Sequence, residues 1–487
     1  MLLQKTIVIK PKKYYLFLKG WNYKKPLQYS GGSVRSMQEP QIIAMIVADA
    51  CRYDSMYPHI KKWMPYLYNN STHFLQARSP GCWTLPSHAS MFSGLLPHDH
   101  GATTQTRTVP DSFPTLAGLL KEKGYYSVMI TANVATTDVF GLNRGFDEMH
   151  KIWRESPNNG DEWFYGIVGF LWRPRFRNRV FKSFIDRKLS EDVEGLRVFF
   201  RSYGKELLKM ARKRVSDLLN QGKKIFLYIN TYDTHFPYHT NEQFRLKSKG
   251  FKNKIGEFLT LMDIINNRHL TVENYRADPG WMQFMKLRQR QAVRRFSIHV
   301  DKFARWLRKR VPESTIIYCS DHGEQFGEEN GLYHFSNVTE GGNRVPLIWS
   351  RAGQNHKITI EYPVSLRNIY NSILCEAGID NRKNWHLTES PEKSLSVIEA
   401  YWYNAHGKTK EKYKRNQFAF VDEKKKYVFR NGSWFIVDID KDDSITELGT
   451  AGVVNPIEES SLSSERKKEL ELEFNKFLQF EKEIPLS

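Results

Sequence analysis

The most regular pattern along the chain is a series of short apolar runs, each followed directly by polar side chains. The first run, QIIAMIVADA at residues 41–50, has no alternation of apolar and polar positions and carries Asp49 near its end. A strand that is buried on both faces, as in a parallel sheet, has this pattern. Similar runs occur at residues 126–132, 225–229 and 315–319.

Each of the later runs is preceded by a helix-like segment and a Gly or Pro. Alternating helices and buried strands are typical of an α/β fold with a parallel sheet. Ligands of open α/β sheets bind at the carboxyl ends of the strands, so we expect the polar residues after the four runs to share one site. These residues are Asp49, Arg52, Asn133, Asp233, His235, Asp321 and His322.

The pattern divides the chain into three parts. Residues 1–40 form a basic arm, and residues 41–380 carry the buried runs. Residues 381–487 hold shorter, alternating strands, with Asn431-Gly432 as a hairpin turn, and a charged helix near the end. This predicts a mostly parallel sheet sandwiched by helices, followed by a small antiparallel α+β subdomain.

The middle part contains two segments without strand-like runs, at about 150–215 and 240–290, which we interpret as insertions over the site. The longest apolar run, residues 163–172, is too short to span a bilayer. Four arginines follow it, so this segment suits either a lid or peripheral contact with a membrane surface. They are Arg173, Arg175, Arg177 and Arg179.

The charge of the chain points to acidic partners. Lys and Arg number 73 against 53 Asp and Glu, a net charge of +20, which favours phosphorylated or sulfated substrates or anionic surfaces. A basic surface that only aids solubility is the alternative. No nucleic-acid-binding motif is present. The first residues lack the apolar stretch of a signal peptide, so we expect a cytoplasmic location, with oligomeric state left open.

Two segments offer ligands for a metal ion. SDHGE at residues 320–324 places Asp321 and His322 together at a strand end, and Asp49 ends the first run. A carboxylate with an imidazole suits Zn²⁺ or Mn²⁺ better than Mg²⁺ alone. The alternatives are a surface turn for SDHGE and a helix N-cap for Asp49.

Candidate nucleophile and proton donors lie in three further segments. In CWTLPSHASMFSG, Thr84 precedes a helix-compatible run, and a helix N-terminus stabilises an alkoxide and binds anions. A plain N-cap is the alternative. His235 and His334 each suit the role of a general acid or of a hydrogen-bond donor to an oxyanion, and a structural role is the alternative for each. Asn133 suits the role of a hydrogen-bond donor to a bound phosphate.

Taken in order, these segments resemble the sulfatase branch of the alkaline phosphatase superfamily over about residues 42–450. Asp49 matches the acidic strand end of that branch, and SDHGE matches its metal motif. The other matching segments are TLPSHASMFSG, GYYSVMITAN, GFD, His-Phe-Pro at 235–237, RVPLI and the closing WFIVDIDKDDSITEL.

The departures from the family pattern change the chemistry that the resemblance implies. Thr84 stands where sulfatases have the Cys or Ser that becomes formylglycine, and threonine cannot follow that maturation. His88 replaces the arginine of the same motif, and Ala50 replaces a second carboxylate. Asn133 and His334 stand at lysine positions. The threonine, the asparagine and the single carboxylate instead resemble the phosphorus-handling relatives of this branch, in which a metal-bound threonine attacks phosphorus.

The resemblance implies a metal-dependent hydrolase or transferase of phosphate monoesters or diesters that acts through a phospho-threonine. Mn²⁺ or Zn²⁺ is favoured, Ca²⁺ or Mg²⁺ also fits, and a second metal is left open, with Asp233, His235, His239 and His334 as candidate ligands. Alternatives are a sulfatase that lacks formylglycine and a non-catalytic anion-binding module. The implied roles are metal ligands Asp49, Thr84, Asp321 and His322; catalytic Thr84, His235 and His334; and substrate-binding Asn133, His88 and Arg52.

Overall fold

A computed structural model describes most of the chain. The described residues are 39–104, 106, 108–155, 201–239, 279–334, 337–379, 387–388, 395–401, 415–423, 425–439, 445–450 and 455–483. The basic arm up to residue 38 and the aromatic run at 163–172 with its four arginines lie outside them.

The described residues form short and long strands that alternate with helices. The strands are β1 (Ile42–Ala48), β2 (Thr72–Phe74), β3 (Ala77–Arg78), β4 (Tyr125–Thr131), β5 (Glu148–Lys151), β6 (Lys224–Thr231), β7 (Ser314–Cys319), β8 (Gln325–Phe326), β9 (Leu332–Tyr333), β10 (Leu347–Ser350), β11 (Ile358–Ile360), β12 (Val364–Ser365), β13 (Ser396–Ala400), β14 (Gln417–Asp422), β15 (Lys425–Arg430), β16 (Ser433–Asp438) and β17 (Ile445–Thr450). The helices are α1 (Tyr53–Met56), α2 (Ile60–Trp63), α3 (Pro65–Asn69), α4 (Thr84–Ser93), α5 (Pro97–His100), α6 (Leu116–Glu122), α7 (Ile152–Glu155), α8 (Gly204–Asn220), α9 (Pro279–Arg310), α10 (Glu340–Asn343), α11 (Asn368–Glu376), α12 (Pro456–Glu459) and α13 (Ser464–Glu483).

The main sheet of the described residues has the strand order β11-β2-β10-β7-β1-β6-β4-β5. The strands β7, β1, β6, β4 and β5 are mutually parallel, and these include all four strands predicted from the apolar runs. Strand β10 is antiparallel to β7 and β2. The predicted mostly parallel sheet is therefore confirmed.

Strand β1 lies at the centre of this sheet. Each of its seven residues is buried, and its two neighbours are β6 and β7. Because β1, β6 and β7 are parallel and in register, their carboxyl ends meet at one edge. The residues that follow these strands are therefore held close together, although they come from distant parts of the sequence.

Helices flank the sheet and present their apolar faces to it. Helix α8 buries Leu207, Ala211, Val215 and Leu218, which recur at the three- and four-residue spacing of an amphipathic helix. Helix α8 packs against β6 and against α9. It begins within the predicted insertion at 150–215, and α9 begins within the one at 240–290.

The C-terminal region forms a second, antiparallel sheet of the order β13-β14-β15-β16-β17. Asn431 and Gly432 connect β15 to β16 with φ values of 51° and 76°. Two positive φ angles are what a type I′ hairpin turn needs. The predicted antiparallel α+β subdomain and its turn are confirmed, with α13 as the predicted charged helix. No helix among the described residues is long and apolar enough to cross a membrane.

A buried histidine joins the two regions. His98 Nδ1 lies 2.6 Å from Glu399 Oε1 of β13, and its Nε2 lies 2.9 Å from Glu473 Oε2 of α13. Burial lowers the pKa of His98, but the charge of Glu399 and hydrogen bonds to Asp99, Glu399 and Glu473 outweigh burial and raise the pKa to about 11. His98 is therefore an imidazolium held between carboxylates.

We expect His98→Gln to destabilise the protein by about 3 kcal/mol at pH 6, because it removes one member of a buried charge pair. Because the pKa of His98 is raised in the folded state, its contribution to the free energy of unfolding is complete below the ordinary value of 6.5. That contribution is lost as pH rises towards about 11. Denaturant unfolding should show that the difference in free energy of unfolding between wild type and variant becomes smaller from pH 6 to pH 10. A gap that stays constant, or an equal effect of His356→Gln at an exposed site, would contradict this assignment.

Candidate active site

Three buried side chains converge at the carboxyl edge of the main sheet. Asp49 follows β1, and Asp321 and His322 follow β7. All three are fully buried. One ligand atom from each of the three lies within 4.8 Å of the others. The sheet thus brings together the three residues predicted as protein ligands besides Thr84.

Two carboxylate oxygens in this cluster have no hydrogen-bond partner among the described residues: Asp49 Oδ1 and Asp321 Oδ2. They lie 3.7 Å and 3.5 Å from His322 Nε2. Buried polar atoms are nearly always paired. Two unpaired anionic oxygens aimed at one point, beside an imidazole nitrogen, are the donor set that a divalent cation takes.

The fourth atom at this point is the hydroxyl oxygen of Thr84. Thr84 is the first residue of α4, after Trp83 at the N-cap, and its Oγ1 lies 3.4 Å from His322 Nε2. The hydroxyl is therefore directed at the carboxylates and is not the plain N-cap considered from the sequence. Helix α4 is buried along its whole length and ends at Gly94 in the left-handed conformation.

The electrostatics of the cluster favour a cation. Burial, and then repulsion from Asp321, raises the pKa of Asp49 well above its usual range. Burial likewise raises the pKa of Asp321 to about 7. A bound divalent ion would offset both carboxylates, so the donor set and its charge fit the metal that the sequence predicts.

Hydrogen bonds orient each carboxylate from its other oxygen. Asn133 Nδ2 donates to Asp49 Oδ2 at 2.6 Å, and Asn230 Nδ2 lies 3.4 Å from the same oxygen. Ala50 N donates to Asp321 Oδ1. Asn133 thus contacts a metal ligand. Sequence reasoning missed Asn230, although it directly follows the apolar run at 225–229, and that position is the signal that could have identified it.

The two predicted catalytic histidines stand beside His322. The ring centroid of His334 is 4.4 Å from that of His322 and 4.9 Å from that of His235. His334 Nδ1 lies 2.5 Å from Oε1 of Glu324. The Tyr238 hydroxyl donates to the other oxygen of Glu324. Glu324 closes the SDHGE motif, which is the signal that could have identified it.

Burial keeps both histidines neutral. It is the main cause that lowers the pKa of His235 to about 3, and it lowers the pKa of His334 well below its usual value. Burial also raises the pKa of Glu324. An incoming anion would stabilise the protonated form of these rings.

The structure places His88 and Arg52 in contact with protein groups. His88 is fully buried; its Nδ1 lies 2.8 Å from the Thr84 carbonyl oxygen and its Nε2 lies 2.7 Å from the Tyr228 hydroxyl. Arg52 donates two bonds to Asp54 and one to Glu328. Their contacts thus support α4 and the loop after β1.

The candidates for a second metal are separated. Asp233 accepts hydrogen bonds from Ser202 Oγ and from the backbone N–H groups of Tyr203 and Gly204, so it caps α8. His239 is buried and follows the loop of His235. Of the four candidates, His235 and His334 are the two whose rings are in contact, with centroids 4.9 Å apart.

Comparison with known proteins gives the family. A sequence model described as Sulfatase matches residues 43–379. The chain belongs to the sulfatase family. Members of this family are metal-dependent ester hydrolases, which makes the chain an enzyme of that type. No curated protein matches the sequence.

Solved structures share the fold at low sequence identity. The phosphonate monoester hydrolase of Agrobacterium radiobacter is 15% identical with a TM-score of 0.56, covering 91% of this chain and 96% of its own. The phosphonate monoester hydrolase SpPMH of Silicibacter pomeroyi is 12% identical with a TM-score of 0.55, covering 89% and 95%. BT4656, solved with D-glucosamine-2-N,6-O-disulfate, is 13% identical with a TM-score of 0.53, covering 92% and 100%.

We expect Asn133→Ala to weaken binding of Mn²⁺ by about 10–100-fold, because loss of a hydrogen bond that orients a metal ligand has this effect. Calorimetric titration of the metal-free protein measures it. Asn70→Ala, which removes an amide bonded to the Tyr66 carbonyl oxygen, is the control and should leave affinity unchanged. Equal affinities for wild type and Asn133→Ala would contradict the orienting role.

Proposed function

We propose that this sulfatase-family enzyme cleaves phosphate monoesters or diesters through a covalent phospho-threonine on Thr84. The observation that carries the proposal is the position of the Thr84 hydroxyl, at the first residue of α4 and 3.4 Å from His322 Nε2. A nucleophile at this place faces the two unpaired carboxylate oxygens and the N-terminus of a helix.

The identity of the nucleophile favours phosphorus over sulfur. A threonine cannot supply the formylglycine that sulfatases use. Its alkoxide can attack phosphorus in line and form a stable ester that is later hydrolysed or transferred to an alcohol. A sulfatase that lacks formylglycine is the second candidate, favoured by the family match over residues 43–379.

In the first step, the Thr84 hydroxyl gives up its proton to solvent, and Oγ1 forms a bond to phosphorus while the bond from phosphorus to the leaving oxygen breaks. The ion, when bound, supplies positive charge that lowers the pKa of the Thr84 hydroxyl and offsets the negative charge of the phosphoryl oxygens. The backbone N–H groups at the start of α4 stabilise the same oxygens. Asn133 keeps Asp49 oriented through its hydrogen bond to Oδ2.

In this scheme His334, held by Glu324, becomes protonated when the anionic substrate binds and then donates that proton to the leaving oxygen. The contact between Nδ1 and Glu324 fixes the ring, so that its other nitrogen is the one available for proton transfer. His235 packs against the same ring and offers a second donor. Water or an acceptor alcohol then attacks phosphorus and releases Thr84.

The neighbours span both ester types. Two are phosphonate monoester hydrolases, and another was solved with a disulfated glucosamine. The enzyme should therefore be assayed on aryl phosphate, bis-aryl phosphate and aryl sulfate side by side, with Mn²⁺, Zn²⁺, Mg²⁺ or Ca²⁺ and again with chelator. Preference for a phosphorus ester that chelator abolishes supports the proposal. Preference for the sulfate favours the second candidate.

We expect Thr84→Ala to lower turnover at least about a thousandfold, because no other residue replaces a covalent nucleophile. Thr84→Ser keeps the hydroxyl and should retain measurable turnover. Mass spectrometry of wild type quenched during turnover should find a phosphoryl group on the peptide that contains Thr84. Substantial activity in Thr84→Ala would overturn the assignment.

We expect His334→Ala to slow substrates according to their leaving group. The loss should be about 100-fold or more for phenyl phosphate, whose leaving oxygen needs a proton, and small for 4-nitrophenyl phosphate, whose leaving group departs as an anion. Glu324→Gln should show the same trend more weakly. Equal losses on both substrates would indicate a structural role for His334.

A further inference from the structure

Helix α9 carries an unusual charge for a surface helix. Among its 32 residues, ten are Lys or Arg and one, Asp301, is acidic. Asp301 is buried and accepts a hydrogen bond from the Leu67 backbone N–H, so it does not face solvent. The exposed side of α9 is therefore almost entirely cationic.

Four of these cations recur at intervals of seven residues: Arg288, Arg295, Lys302 and Lys309. Seven residues are close to two helical turns, so these side chains form a row on one side of α9, with a rise of about 10.5 Å between successive members. The row extends for about 31 Å along the helix axis. Lys302 and Lys309 of this row are exposed.

Helix α8 adds cations on the facing side of this row. Burial, and then the positive charges of Arg295, Lys302 and Lys205, lower the pKa of His299, whereas the charge of Asp233 raises it, so these groups lie near that ring. Arg212 Nη2 donates to the Lys302 carbonyl oxygen, and its guanidinium lies over the ring of Trp306. We call the α9 row together with Lys205 and Arg212 the basic seam.

The acidic side chains of α8 are occupied elsewhere. Glu206 lies 3.5 Å from Arg201, and Asp217 lies 3.2 Å from Arg214. Within the described parts of the chain, Lys205, Arg295 and Lys302 form no ion pair. The positive charges of these three residues are therefore not neutralised by an ion pair within the part of the chain that the structure describes.

One end of the basic seam lies beside the active site. Arg288 Nη2 donates to the Pro237 carbonyl oxygen in the loop that carries His235. The next residue, Gln289, donates to the carbonyl oxygen of Ala50, which follows Asp49. Helix α9 then runs to residue 310 and leads into β7, which returns to the site at Asp321. The seam thus starts at the active site and extends away from it.

We propose that the basic seam binds the unreacted part of a polymeric substrate, a linear chain that carries repeated anionic phosphate esters. This inference rests on the proposed function and adds the size and charge of the substrate to it. The active site holds one ester of the chain, and the row of cations holds esters further along it. Each phosphate contact releases counterions, which makes binding dependent on salt.

The chemistry of the seam favours a polyelectrolyte over a lipid bilayer. Membrane docking by a basic helix uses apolar side chains that enter the headgroup region. Among the described residues of α8 and α9, Leu287 is the one large apolar side chain classed as exposed, at 39%. Trp306 is covered by Arg212.

The test uses the full-length, metal-loaded protein and fluorescently labelled poly(ethylene phosphate), a linear phosphodiester, in a trimeric and a long form. The variant is Arg295→Gln/Lys302→Gln. The control is Lys123→Gln/Lys468→Gln, which removes the same charge from exposed positions on other elements. Affinity is measured by anisotropy over a range of salt, and turnover of 4-nitrophenyl phosphate is measured in parallel.

We expect the seam variant to bind the long chain at least about tenfold more weakly than wild type, with a shallower salt dependence, since two phosphate contacts are lost. Binding of the trimer and turnover of the small ester should stay within about twofold in both variants, because neither measurement depends on the seam. Thr84→Ala should bind the long chain as wild type does. This separates the two proposals: if Thr84→Ala remains active, the nucleophile assignment fails while the seam still stands.

Equal weakening in the seam variant and the control would overturn the proposal, because it would mean attraction by net charge alone. So would unchanged binding of the long chain in the seam variant. A third outcome is that the seam variant loses binding to vesicles rich in phosphatidylserine while it still binds the polymer as wild type does. That result would assign the surface to a membrane and would likewise overturn the proposal.

Discussion

Two buried carboxylates that face one another at the edge of the main sheet are the constraint on which the active site depends. Asp49 and Asp321 follow adjacent parallel strands, and the registered pairing of β1 with β7 sets their separation. Burial and mutual repulsion make this pair unfavourable without a cation. The surrounding groups all act on it: Asn133 and backbone N–H groups hold the outer oxygens, His322 lies between the inner ones, and α4 delivers the Thr84 hydroxyl to the same point.

Much of this arrangement could be predicted from the sequence, because its signals are local. Continuous apolar runs identified β1, β4, β6 and β7, and the polar residue directly after each run placed the site at their carboxyl ends. The Asn-Gly turn of the C-terminal sheet is equally local, since few residues tolerate two successive positive φ angles. Boundaries shifted by one or two residues because strand ends are set by pairing and not by side-chain polarity.

The remaining features depend on pairings between distant segments. The antiparallel strand β10 gives no sign of its direction in its own sequence. Asn230 directly follows the run at 225–229, but its contact with Asp49 is evident only when β6 is placed beside β1. His88 and Arg52 lie in polar sequence segments that look like binding motifs. Their side chains nevertheless contact Tyr228 and Glu328, which come from remote parts of the sequence. Side-chain partners of this kind follow from topology, which no single segment encodes.

The contacts of His98 connect segments that are remote in sequence. Its two carboxylate partners, Glu399 and Glu473, are separated from it by 301 and 375 residues. These contacts form only when the main sheet, the C-terminal sheet and α13 are all in place. Unfolding of the C-terminal region would remove both carboxylates that keep His98 charged, and would thereby also destabilise the region around α5. We therefore expect the two regions to unfold together in one cooperative transition.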